Sequence, residues 1–252
     1  MQDCALQSVQ LQSETLAHRL PVVTIADCTR SDPSRKKEIS WQAVYYHWQK
    51  WNAAGCFEQI WHHSLACIKA DLDCSHLNLD GTHTLAKKGG ESVVYQHRKR
   101  AKTSNILPIS DGHGFILAST GIVAGNHHDA FNLKSNLQTA FKSIKHLGID
   151  IAGAFFNADS AFDTRQARKV CFNHGLIPNM DTNKRNQKRV KLGRKRLFNK
   201  FIYKKRFSSE RTFAWIDKFR ALRVRDDRKD VNFLGGHHLV FAMINLRHLF
   251  DL

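Results

Sequence analysis

The sequence lacks the features that would place the protein in a membrane or build it around paired cysteines. No apolar run in its 252 residues approaches the roughly 20 residues that a membrane-spanning helix needs. Residues 1–12 have neither a basic start nor an apolar centre, so we predict no secretory signal. The six cysteines form no Cys-x-x-Cys pair, which argues against a zinc ribbon or a redox dithiol. We therefore expect a cytoplasmic protein with reduced cysteines that take no part in its chemistry.

Acidic residues are also in short supply. The chain has 22 Asp and Glu against 39 Lys and Arg, a formal net charge of +17 and a pI of about 9.9. Such an imbalance destabilises a compact fold unless a polyanion shares the surface. Nucleic acid is the leading partner on this ground, and an anionic membrane surface is the weaker one. The hydrophobic content of 42% and charged content of 24% are typical of a globular chain rather than a disordered one.

The N-terminal part of the chain divides into two regions. Residues 1–39 show no clean hydrophobic period and contain a polar, charged break around Pro33, so we expect a poorly ordered or truncated region. In residues 40–72, large apolar side chains recur at spacings of three and four, which predicts two helices around Gly55. The pair resembles a DNA-binding helix-turn-helix unit, and a plain helical hairpin is the alternative. The first predicted helix places on one face Trp41, Val44, Tyr45, Trp48 and Trp51.

Residues 73–252 alternate between strand and helix patterns, which predicts one α/β domain. Between the first two predicted strands lies a basic, glycine-bearing loop. The predicted strands are 76–79, 105–109, 115–123, 149–156 and 176–178, and the predicted helices are 129–146, 164–174, 206–222 and 236–250.

Three carboxylates stand out in this domain. Asp80 follows the strand 76–79, Asp159 follows the apolar run 149–156, and Glu210 lies off the apolar stripe of the helix 206–222. Taken singly, an Asp at a strand end opens a turn and a lone Glu pairs with a neighbouring Arg, so these alternatives stay open. Taken together, acids from two strands and a helix suit two divalent ions that act on a phosphodiester.

Two basic segments favour a surface that contacts nucleic acid. Residues 184–206 hold twelve Lys and Arg and no acid, with aromatic side chains between them. The loop after Asp80 is the second segment. The predicted DNA-binding residues are Lys87, Lys88, Arg98, Lys99, Arg100 and Lys102 in that loop, and Lys184, Arg185, Lys188, Arg189, Arg194, Lys195, Arg196, Lys204 and Lys205 in the other segment.

Five motifs together resemble a known family. They are Trp41-Gln-Ala-Val-Tyr-Tyr-His-Trp48, Leu79-Asp-Gly-Thr-His83, Val123-Ala-Gly-Asn-His-His-Asp129, Asn157-Ala-Asp-Ser-Ala-Phe-Asp163 and Tyr203-x-x-Arg206-x-x-x-Glu210-Arg-Thr-Phe-Ala-Trp215. The chain resembles, from about Trp41 to Phe250, the DDE transposases of bacterial insertion sequences, in the IS4/IS5-like group also called the transposase family 11 type.

The resemblance implies a fold, a chemistry and a set of partners. The fold is an RNase H-like mixed sheet flanked by helices, with residues 40–72 as a remnant of a DNA-binding domain and residues 73–252 as the catalytic domain. The activity is DNA strand cleavage and strand transfer that depends on Mg²⁺ or Mn²⁺. Asp80, Asp159 and Glu210 are the implied metal-binding catalytic residues, and Tyr203 and Arg206 support them. The partners are double-stranded DNA at terminal inverted repeats and target sites and further copies of the chain, with no membrane, in the nucleoid of a bacterial cytoplasm.

The sequence departs from the family at one position of the signature. The family carries a Lys seven residues after the Glu, and this chain has Asp217 there, with Lys218 next to it.

The remaining polar residues and the whole chain admit other roles. Asp163 is either an aid to the metal or a helix cap. A zinc site at His83, His127, His128 and Asp129 is disfavoured, because their spacing fits no standard ligand set. A catalytically inactive DNA-binding remnant of a transposase is the alternative function, and a ribosomal type of RNA-binding protein is a weaker one.

Overall fold

The computed structural model describes residues 39–128, 130–182 and 197–247. The chain divides into two compact units, residues 1–50 and residues 51–252. In the first unit, the described residues 39–50 enter helix α1 (Trp41–Ala53), where Trp41, Val44 and Tyr45 are 55%, 43% and 39% exposed. The bulky side chains for which the sequence predicted one helix face are therefore largely open to solvent at this end of α1.

The second unit is built from two sheets and the helices around them. The described helices, of which α1 belongs mostly to the first unit, are α1 (Trp41–Ala53), α2 (Cys56–Cys67), α3 (Leu133–His146), α4 (Arg165–Asn173), α5 (Lys200–Lys204), α6 (Phe207–Ile216), α7 (Arg220–Arg223) and α8 (Asp230–Arg247). The strands are β1 (His76–Leu79), β2 (Thr82–Ala86), β3 (Val94–Gln96), β4 (Ala101–Ile106), β5 (Pro108–Ser110), β6 (Ile116–Ser119), β7 (Val123–Ala124), β8 (Phe155–Ala158), β9 (Ile177–Met180) and β10 (Val224–Arg225).

The first sheet has five strands in the order β6-β5-β1-β8-β9. Strands β6, β5 and β1 are antiparallel neighbours, whereas β1, β8 and β9 run parallel. Nearly every residue of these strands is buried, as expected for a sheet covered by helices. Phe141 of α3 meets Phe156 of β8 edge to face, with ring centroids 5.2 Å apart. The predicted α/β class, a mixed sheet flanked by helices, is confirmed.

The second sheet was not predicted. It has the order β10-β2-β4-β3, with β7 also paired to β4, and it occupies much of the segment that the sequence indicated to be a basic loop. The chain leaves the first sheet after Asp80 and returns to it at Leu107, so the predicted strand 105–109 is divided between β4 and β5. A Cβ at Gly81 would lie 2.9 Å from Leu107 Cδ2, which shows how closely the two crossings pass.

Other predicted elements differ at their ends. Helix α3 begins at Leu133 and ends before Gly148, whose φ of 69° suits glycine. Strand β8 forms only the last part of the predicted run 149–156 and extends to Ala158. The predicted helix 206–222 is interrupted after Ile216 and becomes α6 and α7. Among the described residues, none of the helices is long and apolar enough to cross a membrane.

Candidate active site

Asp80 and Asp159 follow two neighbouring parallel strands. In the β1–β8 ladder, Leu79 is opposite Ala158, so the two acids are the next residues at the same end of the sheet. Neighbouring strands are about 4.8 Å apart, which brings the two backbone positions close together. The strand-end position predicted for both carboxylates is therefore what the structure has.

The surroundings of Asp80 combine a backbone donor with a cation. Asp80 Oδ1 accepts a hydrogen bond from the amide of Gly81 at 2.9 Å, and Oδ2 lies 3.5 Å from Nη1 of Arg206. The side chains of Asp80 and Arg206 are 29% and 22% exposed, so the pair is only partly screened by water. Arg206 thus reaches the first predicted acid, as its proposed supporting role requires.

Asp159 is held differently, in an exposed position. Its Oδ1 accepts a hydrogen bond from the amide of Ser160 at 2.6 Å, and Asp159 thereby caps a short 3₁₀ turn, Ser160–Phe162.

Asp163 faces the interior and pairs with Arg168, whose Nε lies 2.6 Å from Asp163 Oδ1. The cap of α4 is Thr164, which accepts from the amide of Ala167, so the prediction of Asp163 as a helix cap is wrong.

Tyr203 lies among the acids. Burial is the main cause that raises the pKa of its phenol. The charge of Arg206 opposes this shift, while the carboxylates of Asp159, Asp181 and Asp80 add to it. The Arg206 guanidinium is 5.6 Å from the centre of the Tyr203 ring. The phenol therefore stays protonated near neutral pH and keeps a hydrogen to donate.

Glu210 lies exposed in the first turn of α6, four residues after Arg206. That spacing places it one helical turn beyond Arg206. Within residues 39–128, 130–182 and 197–247, no group of three or more His, Cys, Asp or Glu side chains is arranged to hold a metal ion. Even without a third side chain, Asp80 and Asp159 are suited to such an ion, because carboxylate oxygens on adjacent strand ends are the hard donors that Mg²⁺ and Mn²⁺ prefer.

The structure also contains a feature that was missed in the sequence. Asn78, Asn157 and Asn179 are lateral neighbours on β1, β8 and β9, and each is at most 1% exposed. Each stands two residues before an acid, the third acid being Asp181. The signal that could have revealed it is the Asn-x-Asp pattern, which occurs at the end of all three strands.

The predicted DNA-binding residues fall into two groups. Those on the second sheet and its turns are exposed, as are those at the C-terminal end of α5: Lys87, Lys88, Arg98, Lys99, Arg100, Lys102, Lys204 and Lys205. The others lie outside the described residues: Lys184, Arg185, Lys188, Arg189, Arg194, Lys195 and Arg196.

A groove of about 450 Å³ runs beside the second sheet. Its lining includes Lys99, Arg223 and Asp217, the residue that stands where the resembled family has a Lys. Lys218 contacts Trp215 instead, with its Nζ 3.5 Å from the ring centre.

Among the described histidines of the disfavoured zinc site, His127 stacks on Phe131 with ring centres 3.6 Å apart.

Fold and site together define an α/β protein with an acidic centre at the strand ends of one sheet and basic side chains on the next. The family model of the DDE superfamily endonucleases matches residues 72–244. The chain belongs to this family. No curated protein matches the chain.

Several solved transposase structures are similar to this chain at low identity. The Mos1 transposase paired-end complex with the left transposon end is 12% identical, covering 94% of this chain and 70% of that chain, with a TM-score of 0.33. The catalytic domain of Mos1 mariner transposase is 11% identical, covering 76% of this chain and 91% of that chain, with a TM-score of 0.31.

Proposed function

We propose that the protein is a transposase that cuts DNA strands and joins them to a target with the help of Mg²⁺ or Mn²⁺. The observation that carries this proposal is the pair Asp80 and Asp159 at adjacent strand ends, with Arg206 3.5 Å from Asp80. Membership of the DDE superfamily endonucleases supports the same chemistry. The narrower assignment to the IS4/IS5-like group of bacterial insertion sequences rests on the sequence motifs.

Asp80 and Asp159 would hold the divalent ion, and Glu210 is proposed as the third carboxylate from the family pattern. A bound ion would supply charge stabilisation at the phosphate and a more acidic attacking water or hydroxyl. Arg206 holds Asp80 in place from one side, and its planar guanidinium is suited to a phosphate oxygen on the other. The protonated Tyr203 hydroxyl would donate a hydrogen bond to the same phosphate.

The basic side chains of the second sheet would hold the flanking DNA. They neutralise backbone phosphates without reading sequence, so their contribution weakens as salt is raised. We also propose that copies of the chain assemble on DNA, since two element ends must be processed together.

The test is nicking of DNA that carries the element's terminal inverted repeats. We expect Asp80→Asn, Asp159→Asn and Glu210→Gln each to lower the Mg²⁺-dependent rate at least roughly 10-fold, because a lost ligand costs no less than a lost outer-shell partner. Asp150→Asn is the matched control, since Asp150 is exposed and precedes β8 rather than following it. A variant that keeps the wild-type rate would remove its residue from the mechanism.

The alternative function, a DNA-binding protein without catalysis, gives a different result in the same assay. The wild-type chain would then bind the DNA in a salt-dependent way, and no nicking would appear with Mg²⁺ or Mn²⁺. The three variants would bind as the wild type does.

A further inference from the structure

The three buried asparagines form a continuous hydrogen-bonded ladder across the parallel half of the first sheet. Asn179 Nδ2 donates to Asn157 Oδ1 at 2.7 Å, and Asn157 Nδ2 donates to Asn78 Oδ1 at 2.9 Å. The strand pairing that brings them together sets Asn78 opposite Asn157 and Asn157 opposite Asn179. We call these three residues the asparagine ladder.

The second hydrogen of each amide leaves the sheet and reaches one segment of chain, residues 199–208. Asn179 donates to the carbonyl of Asn199 at 3.1 Å and Asn157 to that of Ile202 at 3.4 Å. Asn78 donates to Ser208 Oγ at 3.1 Å. The ladder therefore contacts this segment at three places along its length.

The contact at the start of the segment is reciprocal. The amide of Asn199 donates to Asn179 Oδ1 at 2.8 Å. The Asn199 side chain in turn accepts from the amides of Phe201 and Ile202, at 3.0 and 3.2 Å, and so caps α5. The ladder thus fixes the point at which α5 begins.

The residues proposed to support catalysis lie on this same segment or directly after it. Tyr203 and Arg206 fall between the contacts at Ile202 and Ser208, and Glu210 follows Ser208 by two residues. On the sheet side, each member of the ladder precedes a strand-end acid by two residues, so it lies on the same face of its strand as that acid. The ladder therefore hydrogen-bonds the strands that end on the acids to the segment with Tyr203 and Arg206.

We propose that the asparagine ladder is a positioning device that holds residues 199–208 on the sheet and so sets Tyr203, Arg206 and Glu210 relative to Asp80 and Asp159. An asparagine amide suits this task because it donates two hydrogen bonds while its oxygen accepts. An aspartate would donate none when charged, and a leucine of similar size would neither donate nor accept. The link to catalysis rests on the proposed function, whereas the link to the position of the segment does not.

The main test compares Asn157→Leu with the control Asn245→Leu. Asn245 is also fully buried and hydrogen-bonded, but it joins α8 to Ile116 and Ser64, away from residues 199–208. We expect Asn157→Leu to speed hydrogen exchange at the amides of Tyr203 and Lys205, which bond within the segment, while amides of β1 stay protected. The control should leave exchange in the segment as in the wild type.

The kinetic readout separates positioning from plain loss of stability. We expect Asn157→Leu to lower kcat for strand cleavage about 10- to 100-fold, as losses of outer-shell partners do, with the KM for DNA unchanged. Asn245→Leu, measured where it remains folded, should keep the wild-type kcat. Equal falls of kcat in the two variants would overturn the proposed role.

A milder variant keeps the test decisive if Asn157→Leu does not fold. Ser208→Ala removes one contact of the ladder with the segment and leaves the sheet intact, so we expect faster exchange at Lys205 and a several-fold lower kcat. Unchanged exchange in Ser208→Ala and in every ladder variant that folds would overturn the inference. If the wild-type chain proves not to cleave DNA, the proposed function fails while the exchange measurements still decide the positioning.

Discussion

The two sheets differ in the polar group that makes the most buried contacts in each. The first sheet places neutral amides in its interior, and each member of the asparagine ladder donates both hydrogens to partners. The second sheet buries a charge: the Arg225 side chain is 0% exposed and lies 2.7 Å from Asp230 Oδ1. Neutral amides lose less hydration than a charge does and can align several strands. The ion pair between Arg225 and Asp230 instead stabilises a single turn, the one between β10 and α8.

The largest difference between the sheets should appear on removal of the buried charge. Arg225 also donates to the carbonyls of Asp227 and Arg228 and lies over the Phe233 ring at 4.7 Å. We expect Arg225→Ala to lower the free energy of unfolding by about 3–5 kcal/mol, because it breaks the ion pair of a buried guanidinium and removes its packing on the Phe233 ring. Urea unfolding measures this. Arg223→Ala, at an exposed site two residues away, should change the free energy of unfolding by less than about 0.5 kcal/mol. Equal losses of stability in the two variants would contradict the special role of the buried charge.

The second prediction uses pH, because burial shifts the pKa values of two histidines of α8 and of an acid in a hairpin of the first sheet in opposite directions. Burial lowers the pKa of His237 to about 4, with a smaller contribution from the Arg225 charge, and burial lowers that of His238 to about 4 as well. A histidine whose folded pKa lies below its ordinary value stabilises the fold above pH 6.5 and loses that contribution as pH falls towards 4. We expect a loss on the order of 2–3 kcal/mol per histidine.

In the hairpin between β5 and β6 of the first sheet, burial raises the pKa of Asp111 to about 6. Its contribution has the opposite sign, because the folded state binds this proton more tightly and loses stability as pH rises from about 4 to 6. Urea unfolding from pH 4 to 7 should therefore show a steeper rise with pH in Asp111→Asn than in the wild type. In a variant with both His237→Gln and His238→Gln, the rise should disappear.

A third and smaller effect probes how tightly the second sheet is packed. A Cβ at Gly125 would lie 2.0 Å from Thr103 Oγ1 and 2.3 Å from the Thr103 carbonyl oxygen. We expect Gly125→Ala to cost about 1–3 kcal/mol, because the backbone must move. Gly121→Ala is the matched control, with nothing within 4 Å of the added atom. Thermal unfolding should show a lower Tm for Gly125→Ala and no change for Gly121→Ala. An equal fall of Tm in both variants would show that the contact with Thr103 is not the cause.

The smallest effect on stability is expected at the exposed, basic side of the second sheet. Lys99 Nζ donates to the carbonyl of His83 at 3.3 Å from an exposed position, so Lys99→Ala should change stability by less than about 0.5 kcal/mol. In DNA binding, the same change should reduce the slope of log affinity against log salt by about 0.9, one phosphate contact. Lys142→Ala, on an exposed face of α3, is the control. If the slope is unaltered in Lys99→Ala, Lys99 does not contact a DNA phosphate.

The first sheet was largely predictable from the sequence, and the second was not. Short apolar runs that end on Asp80 and Asp159 are local signals, and both acids lie where the pattern predicted them. Strands β2, β3 and β10 are short and polar, and β10 pairs with β2 from more than a hundred residues away. Such pairing leaves no local period. The asparagine ladder was missed because asparagine near a strand end usually indicates a turn.

Helix α6 shows a second limit of prediction. The apolar stripe of residues 206–222 predicts one helix, but α6 ends at Ile216 and Phe219 is extended, with φ −86° and ψ 105°. Trp215 lies between the cations of Lys218 and Arg247, whose atoms are 3.5 and 3.4 Å from its ring centre. This contact from α8 is tertiary, so no pattern within residues 206–222 could have revealed it.

The ladder also bears on how the chain avoids folding errors. Side chains alternate across a strand, so a slip of β9 by one residue past β8 would set Pro178 or Met180 against Asn157 in place of Asn179. Neither side chain offers a hydrogen bond, and the amide of Asn157 would be buried without its partner. Only the native alignment satisfies all three asparagines, and this alignment also brings the ends of the strands level. A misaligned β9 would therefore leave the ladder unsatisfied during folding, which favours the alignment in which Asp181 follows β9 beside Asp159 at the end of β8.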